Sequence, residues 1–351
     1  MAYGSDISVF VEDQALDGGA TPSPAPWWLS PDIDIPAHPG LAVQGTNQVR
    51  IRVHVHDEPV VSELIAAEVY VGDPSLVLSP SSGTVRIDPG NLRFRTLAMQ
   101  GPEPVATSAG GETTFDWTPS STAGAVNGPG HRCLVLRAFP ESVTPPTGSF
   151  DVPNEQHEAQ LNIMILTTTT ASGSGGSGRP PSGEEGMGVP GDPLDPDRLT
   201  GLWRKAILTR ALGRKGPRIV VWAFDPAPGK RIESMVRAVL GRRRKFAGFS
   251  RAAPGEVTLY PGRGGREVEP AELLKDRFAR SAGLGKGLFA RDRLVAAAEL
   301  EASPKAATTL VLGFDHSNIR KYSAIVLHGA QWDADGRPEG GLTLVALAPN
   351  P

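Results

Sequence analysis

Val49-Arg-Ile-Arg-Val-His-Val55 is the stretch that decides the fold. Val49, Ile51, Val53 and Val55 fall on one side of an extended chain; Arg50, Arg52, His54 and the following His56 fall on the other. Strict period two with this split predicts an antiparallel strand buried on one face only. Short runs of the same kind surround it, at Ile7–Val11, Glu68–Val71, Thr84–Ile87, Leu92–Leu97, Glu112–Trp117, Arg132–Phe139 and Leu161–Leu166. Pro, Gly and Asn turns separate them, and no helical period outlasts Ser62–Ala67. A half-buried sheet needs a second layer, so this half of the chain is expected to form two packed sheets.

Four segments of the same half read together: Pro26-Trp-Trp-Leu-Ser-Pro-Asp-Ile33, Gly45-Thr-Asn-Gln-Val-Arg-Ile-Arg-Val53, Pro129-Gly-His-Arg-Cys-Leu-Val-Leu-Arg137, and Asp151-Val-Pro-Asn154 with Gln160-Leu-Asn162. Together they resemble a bacterial immunoglobulin-like module of the CARDB adhesion type, over residues 1–166. The resemblance implies an immunoglobulin-like β-sandwich and brings no catalytic residues with it.

Charge divides the chain. Residues 1–197 hold 8 Lys+Arg against 24 Asp+Glu, a net of −16, while residues 198–351 hold 27 against 14, a net of +13. Between them, residues 167–197 run through Thr, Gly, Ser and Pro, a composition too poor in apolar surface to order itself. As a flexible coil such a tract spans about 30 Å, roughly one domain width. Cys133 is the single cysteine, which excludes a disulfide framework and a thiolate metal cluster.

The second half opens, in this reading, with a helix from Leu199 to Leu212, whose stripe is Leu202, Trp203, Ala206, Ile207, Arg210 and Ala211. A buried strand at Arg218–Phe224 and a helix at Lys230–Leu240 follow. Next come a strand at Glu256–Tyr260 and a helix at Pro270–Ala282. Strands at Leu294–Leu300, Thr308–Phe314, Tyr322–His328 and Leu342–Leu347 finish the chain, the last two joined by a long turn from Trp332 to Gly341. The expected fold is therefore mainly β. It has an N-terminal immunoglobulin-like β-sandwich (1–166), a linker (167–197), and a C-terminal β-rich, sandwich-like domain with inserted helices (198–351).

The candidate site is electrostatic. Between Arg198 and Arg251 stand 15 Lys+Arg and, as acids, Asp225 and Glu233. The patch comprises Arg204, Lys205, Arg210, Arg214, Lys215, Arg242, Arg243, Arg244 and Lys245, with Phe246 and Phe249 after its peak. Such a run is either a solvated face or a docking surface for anionic partners. An acidic protein surface leads, because the chain carries one itself; nucleic acid would be repelled by the acidic half. Trp27 and Trp28 are a candidate aromatic platform for carbohydrate, or else a plug that closes the sandwich.

Other motifs reduce to structural roles. His54 and His56 share a strand face, as a zinc or copper pair would, yet Arg50 and Arg52 on that face oppose a cation. Asp315-His316-Ser317 lacks triad geometry, since neighbours on an extended chain point apart. Gly283-Leu-Gly-Lys-Gly287 follows a helix rather than a strand and reads as a helix-ending turn. Asp333-Ala-Asp-Gly336 opens like a calcium loop but has Leu344 where the closing glutamate belongs. Cys133 reads as a core thiol. His131, His157, His316 and His328 stand alone, as hydrogen-bonded structural residues do.

The expected function is that of a non-enzymatic structural or interaction protein, a subunit docking through acidic and basic surfaces onto a protein partner or copies of itself. A carbohydrate-binding, adhesion-like module is the alternative, and an enzyme with a site between the halves is the third reading. No cofactor is expected. Without a basic leader or an apolar run of 18 residues, the chain is expected to have no Sec signal and no membrane span. That places it in the cytoplasm unless another route takes it to a surface.

Overall fold

A computed structural model describes residues 9–14, 20–55, 64–81, 83–95, 110–122, 124–166, 202–212, 216–240, 246–252, 256–262, 264–303, 307–315 and 323–347. The linker expected at 167–197 lies outside these. The protein is mainly β, and no helix among the described residues is long and apolar enough to cross a membrane.

The deciding stretch lies within β4 (Asn47–Val55). This strand pairs antiparallel with β1 (Val9–Phe10), β2 (Ile33–Asp34) and β8 (Gly110–Trp117). Val49, Ile51 and Val53 are 0–1% exposed. They meet Val69, Val71, Leu134, Leu136, Leu161 and Ile163 of a second sheet, burying the apolar face that the alternation requires. That second sheet runs β3 (Leu41–Val43), β10 (Glu158–Leu166), β9 (Gly130–Pro140), β5 (Leu64–Gly72), with β6 (Thr84–Arg86) and β7 (Arg93–Arg95) both on β5. β3 joins β10 in parallel, so the sheet is mixed. The short helical period at Ser62–Ala67 is absorbed from Leu64 onward into β5.

The second half is also two sheets. One orders β11 (Leu202–Thr209), β16 (Thr308–Asp315) and β13 (Val257–Pro261). The other orders β14 (Arg266–Val268), β15 (Leu294–Leu300), β12 (Arg218–Phe224), β17 (Ala324–Asp333) and β18 (Pro338–Leu347). In β12 the side chains alternate between two cores: Val220, Trp222 and Phe224 face one, Ile219, Val221 and Ala223 the other. A strand covered on both faces reads as a continuous apolar run, as this one does from Ile219 to Phe224. Helix α1 (Gly229–Leu240) closes one of these cores with Ile232 and Val236, one turn apart.

Three expectations for this half need correction. The described part of the helix expected at Leu199–Leu212 is not helical: β11 pairs with β16 from Leu202↔Asp315 to Thr209↔Thr308. Burial at Ile207, Thr209 and Ala211 alternates with partly open Leu208 and Arg210. The helical stripe was an alias of that alternation, and pairing with β16 overrode it. Pro270–Ala282 breaks into α2 (Pro270–Leu273) and α3 (Arg277–Ser281), because the Asp276 side chain accepts the Phe278 N–H and caps a new start. The turn into β18 is also shorter than expected. Asp333 Oδ1 accepts the N–H groups of Asp335 and Arg337, Gly336 supplies a φ of 83°, and Pro338 already belongs to the strand.

The two halves share cores. Leu41, Leu76 and Met164 belong to the same buried cluster as Val220 and Leu310; Trp27, Trp28 and Val135 belong to the one holding Val221 and Trp332. Leu76 N–H donates to the Leu208 carbonyl at 2.9 Å, and Ser75 bridges Leu208 in parallel, covering the free edge of β11. Gly340 and Gly341 are required by the same packing: a Cβ on the first would overlap the Leu76 carbonyl, and one on the second the Trp28 ring.

Candidate functional site

The basic patch is only partly within the described residues. Arg214, Lys215, Arg242, Arg243, Arg244 and Lys245 lie outside them. Arg204 and Lys205 lie on β11, and Arg210, half-buried just after it, gives its carbonyl to the Gln331 side chain. Phe246 and Phe249, read as part of the patch, pack edge to face at 5.0 Å in and against the core, with the Arg237 guanidinium 5.2 Å from the Phe246 ring centre. They anchor the end of the basic loop rather than offer stacking faces.

Trp27 and Trp28 are not a ligand platform. They are 2% and 0% exposed, T-shaped to one another at 4.9 Å, and Trp27 meets Trp332 at 6.3 Å. Paired indoles flanked by prolines look accessible in sequence. The second half supplies the surface that covers them.

Around Trp28 a chain of hydrogen bonds crosses the seam between the halves. Its indole Nε1–H donates to Thr343 Oγ1 at 2.8 Å. Thr343 is the register partner of His328, whose Nδ1 lies 2.8 Å from the same hydroxyl and whose Nε2 lies 3.2 Å from Asp225 Oδ2. On the other side, Thr343 N–H donates to Asn162 Oδ1, and Asn162 Nδ2 donates to Cys133 Sγ. Burial works to raise the Asp225 carboxyl, but the hydrogen bonds from His328 and Ala227 outweigh it and hold it below the usual range. An ionised Asp225 accepts from His328 Nε2, while Nδ1 faces the Thr343 hydroxyl. Burial also pushes the Cys133 thiol up to about 12, so it is a core thiol without thiolate character.

An aspartate, a histidine and a hydroxyl in line have the order of a hydrolytic relay, yet Thr343 is 5% exposed and its oxygen already accepts the Trp28 proton. This arrangement fixes rotamers; it does not present a nucleophile. A small apolar cleft beside it is lined by Leu29, Met164, Ile232, Met235 and Val345, with Arg231 at its rim. Arg231 reaches from α1 to the Ser30 carbonyl at 2.9 Å, tying the helix to the first half.

These residues were not singled out from sequence as a set. Asp225, His328, Asn162 and Thr343 share no spacing, and the one local signal is a threonine in the otherwise apolar run Leu342–Leu347. Of the other motifs, His54 lies on β4, while His56, His316 and Ser317 lie outside the described residues. Gly283-Leu-Gly-Lys-Gly287 ends α3 as read, with Gly283 and Gly285 at φ 69° and 85°.

Asp151 gives the seam a pH dependence. Burial raises its carboxyl to about 6, although Asn154 donates to it and Arg337 of the β17–β18 turn stands 3.2 Å away. The folded state therefore holds this proton more tightly than the unfolded chain. Its stabilising contribution is full below the ordinary value of 3.8 and is lost as pH rises through about 6. Urea unfolding of wild type and Asp151→Asn from pH 4 to 7 should show the variant gaining on wild type across that window and levelling off above it. A difference that runs the other way would mean that Arg337 holds the carboxylate ionised.

No protein-family model and no curated protein matches the chain. Among solved structures it is similar to a β-glucosidase from Listeria innocua in complex with gluconolactone. That likeness has 17% identity and a TM-score of 0.17, over 36% of this chain and 15% of that one. It is also similar to CBD12 from CALX1.2, at 11% identity and a TM-score of 0.19, over 85% of this chain and 79% of that one. The chain thus spans 15% of the length of the glucosidase it matches. Likeness at this level fixes neither family nor activity, and the chain stands on its own geometry as a mainly β protein whose oppositely charged halves share buried cores.

Proposed function

We propose that the protein is a non-enzymatic interaction subunit, assembling through the contrast between its acidic and basic halves with copies of itself or with an acidic protein partner. One observation carries this reading: the seam is built of indoles, aliphatic side chains and neutral hydrogen bonds. It also contains the ion pairs Arg231–Asp34 at 3.9 Å and Arg337–Asp151 at 3.2 Å, which are small beside −16 and +13. The surplus is left for other surfaces, where opposite potentials speed association and fix orientation. An immunoglobulin-like first half of the CARDB kind suits such a role, since sandwiches of that class present faces and edges rather than deep pockets.

Contact between the acidic half of one copy and the basic half of the next is head to tail, which closes into rings or continues as filaments. Sedimentation at low salt should show species heavier than 37.0 kDa that dissociate toward 1 M salt, where the screening length falls to about 3 Å. Replacing Arg242, Arg243 and Arg244 with serine should dissociate them without added salt. Oligomers unchanged in 1 M salt, or a monomer at every salt concentration with no acidic partner bound, refute the reading; binding of a polyanion in preference to acidic protein replaces it with nucleic-acid recognition.

A further inference from the structure

We propose that Glu12, Asp32 and His54 form a binding site for a divalent first-row transition ion, with Zn²⁺ as its simplest occupant. One ligand atom from each residue lies within 4.8 Å of the other two. The three come from separate segments, the residues after β1, the loop before β2, and β4, so an ion there would clamp the N-terminal strand to the sheet.

The site is held in place by its own backbone. Glu12 N–H donates to Asp32 Oδ2 at 2.6 Å, and Ser30 Oγ accepts the Asp32 N–H and donates to the Glu12 carbonyl. Asp32 also accepts the Arg52 N–H at its carbonyl. Its side chain is 1% exposed, and its carboxylate lies 2.9–3.0 Å from His54 Nε2. The imidazole stacks on Phe10 at 5.0 Å, which fixes its plane. Among the described residues, Glu12 is tied down through its backbone N–H and carbonyl, and its carboxylate stands within reach of Asp32 and His54.

Charge and donor type select the occupant. Once an ion displaces the proton His54 shares with Asp32, two carboxylates and the imidazole carry −2, which a dication cancels. A nitrogen donor favours zinc and its neighbours over calcium or magnesium, which take oxygen. Arg50 and Arg52, which in sequence oppose a cation on this strand face, are engaged at 2.7 Å by Asp34 and Glu112. Glu12 and Asp32, 42 and 22 residues earlier in the chain, bring to His54 the ligands that its own strand does not supply. Water fills any remaining position in a four-coordinate ion.

The test uses the full chain stripped of metal and titrated with zinc chloride, followed by calorimetry and thermal unfolding. One saturable site and a rise in Tm with zinc concentration are expected, with no shift from Ca²⁺ or Mg²⁺. Glu12→Gln and His54→Gln should each weaken zinc binding at least about tenfold. Glu12→Gln is the decisive variant, because its metal-free Tm should match wild type. No saturable binding in wild type, equal zinc affinity in both variants and wild type, or a calcium response as large as that to zinc overturns the assignment.

Discussion

Replacing Trp28 with alanine should cost about 3–5 kcal/mol of stability, the range for truncating a fully buried aromatic side chain. Trp28 is 0% exposed, touches Trp27 and His328, and donates to Thr343 across the seam. The loss is larger than a packing cavity alone, because the Thr343 hydroxyl loses its donor while still bound to His328. Trp28→Phe keeps most of the apolar volume and should fall between wild type and alanine. Urea unfolding followed by far-UV and by tryptophan signals measures both. Wild type should unfold in one transition, since its halves share cores; Trp28→Ala should move the midpoint down and separate the two signals. A cost below about 1 kcal/mol would mean that the seam is not a packed interior.

The second large effect belongs to Arg218 and Glu339. Arg218 is 0% exposed, and its Nε stands 2.6 Å from Glu339 Oε2. Glu339 also accepts the Leu212 N–H and the Gln331 side chain, so it joins the end of β11 to β17 and β18. Glu339→Ala strands a guanidinium in the interior and should cost about 3–5 kcal/mol. The double variant Arg218→Met/Glu339→Leu removes both charges and should recover most of that loss. A double variant no better than Glu339→Ala would show that packing around the pair, not the stranded charge, sets the cost.

Strands with a clean alternation or an unbroken apolar run were readable from their residues. β4 alternates because one face meets the second sheet, and β12 is apolar from Ile219 to Phe224 because both faces are covered. β11 was not readable: Leu202 to Thr209 fits a helical stripe and a strand equally, and β16 decides between them. Trp27 and Trp28 misled for a related reason, since nothing within Pro26–Ile33 says that residues more than 300 positions later cover them. His54 was recognised as a donor, but its partners lie in segments whose own composition is ordinary.

Composition and local periodicity by themselves determined a mainly β protein, its short strands, the opposed charge of its halves and a thiol set in the core. These properties follow from each residue's own preference for water or for its near neighbours. Tertiary structure alone decided that the halves interlock, that the tryptophans are interior, and that Glu12 and Asp32 stand beside His54. Contacts between distant segments depend on chain closure, and no local pattern encodes which remote surface will arrive.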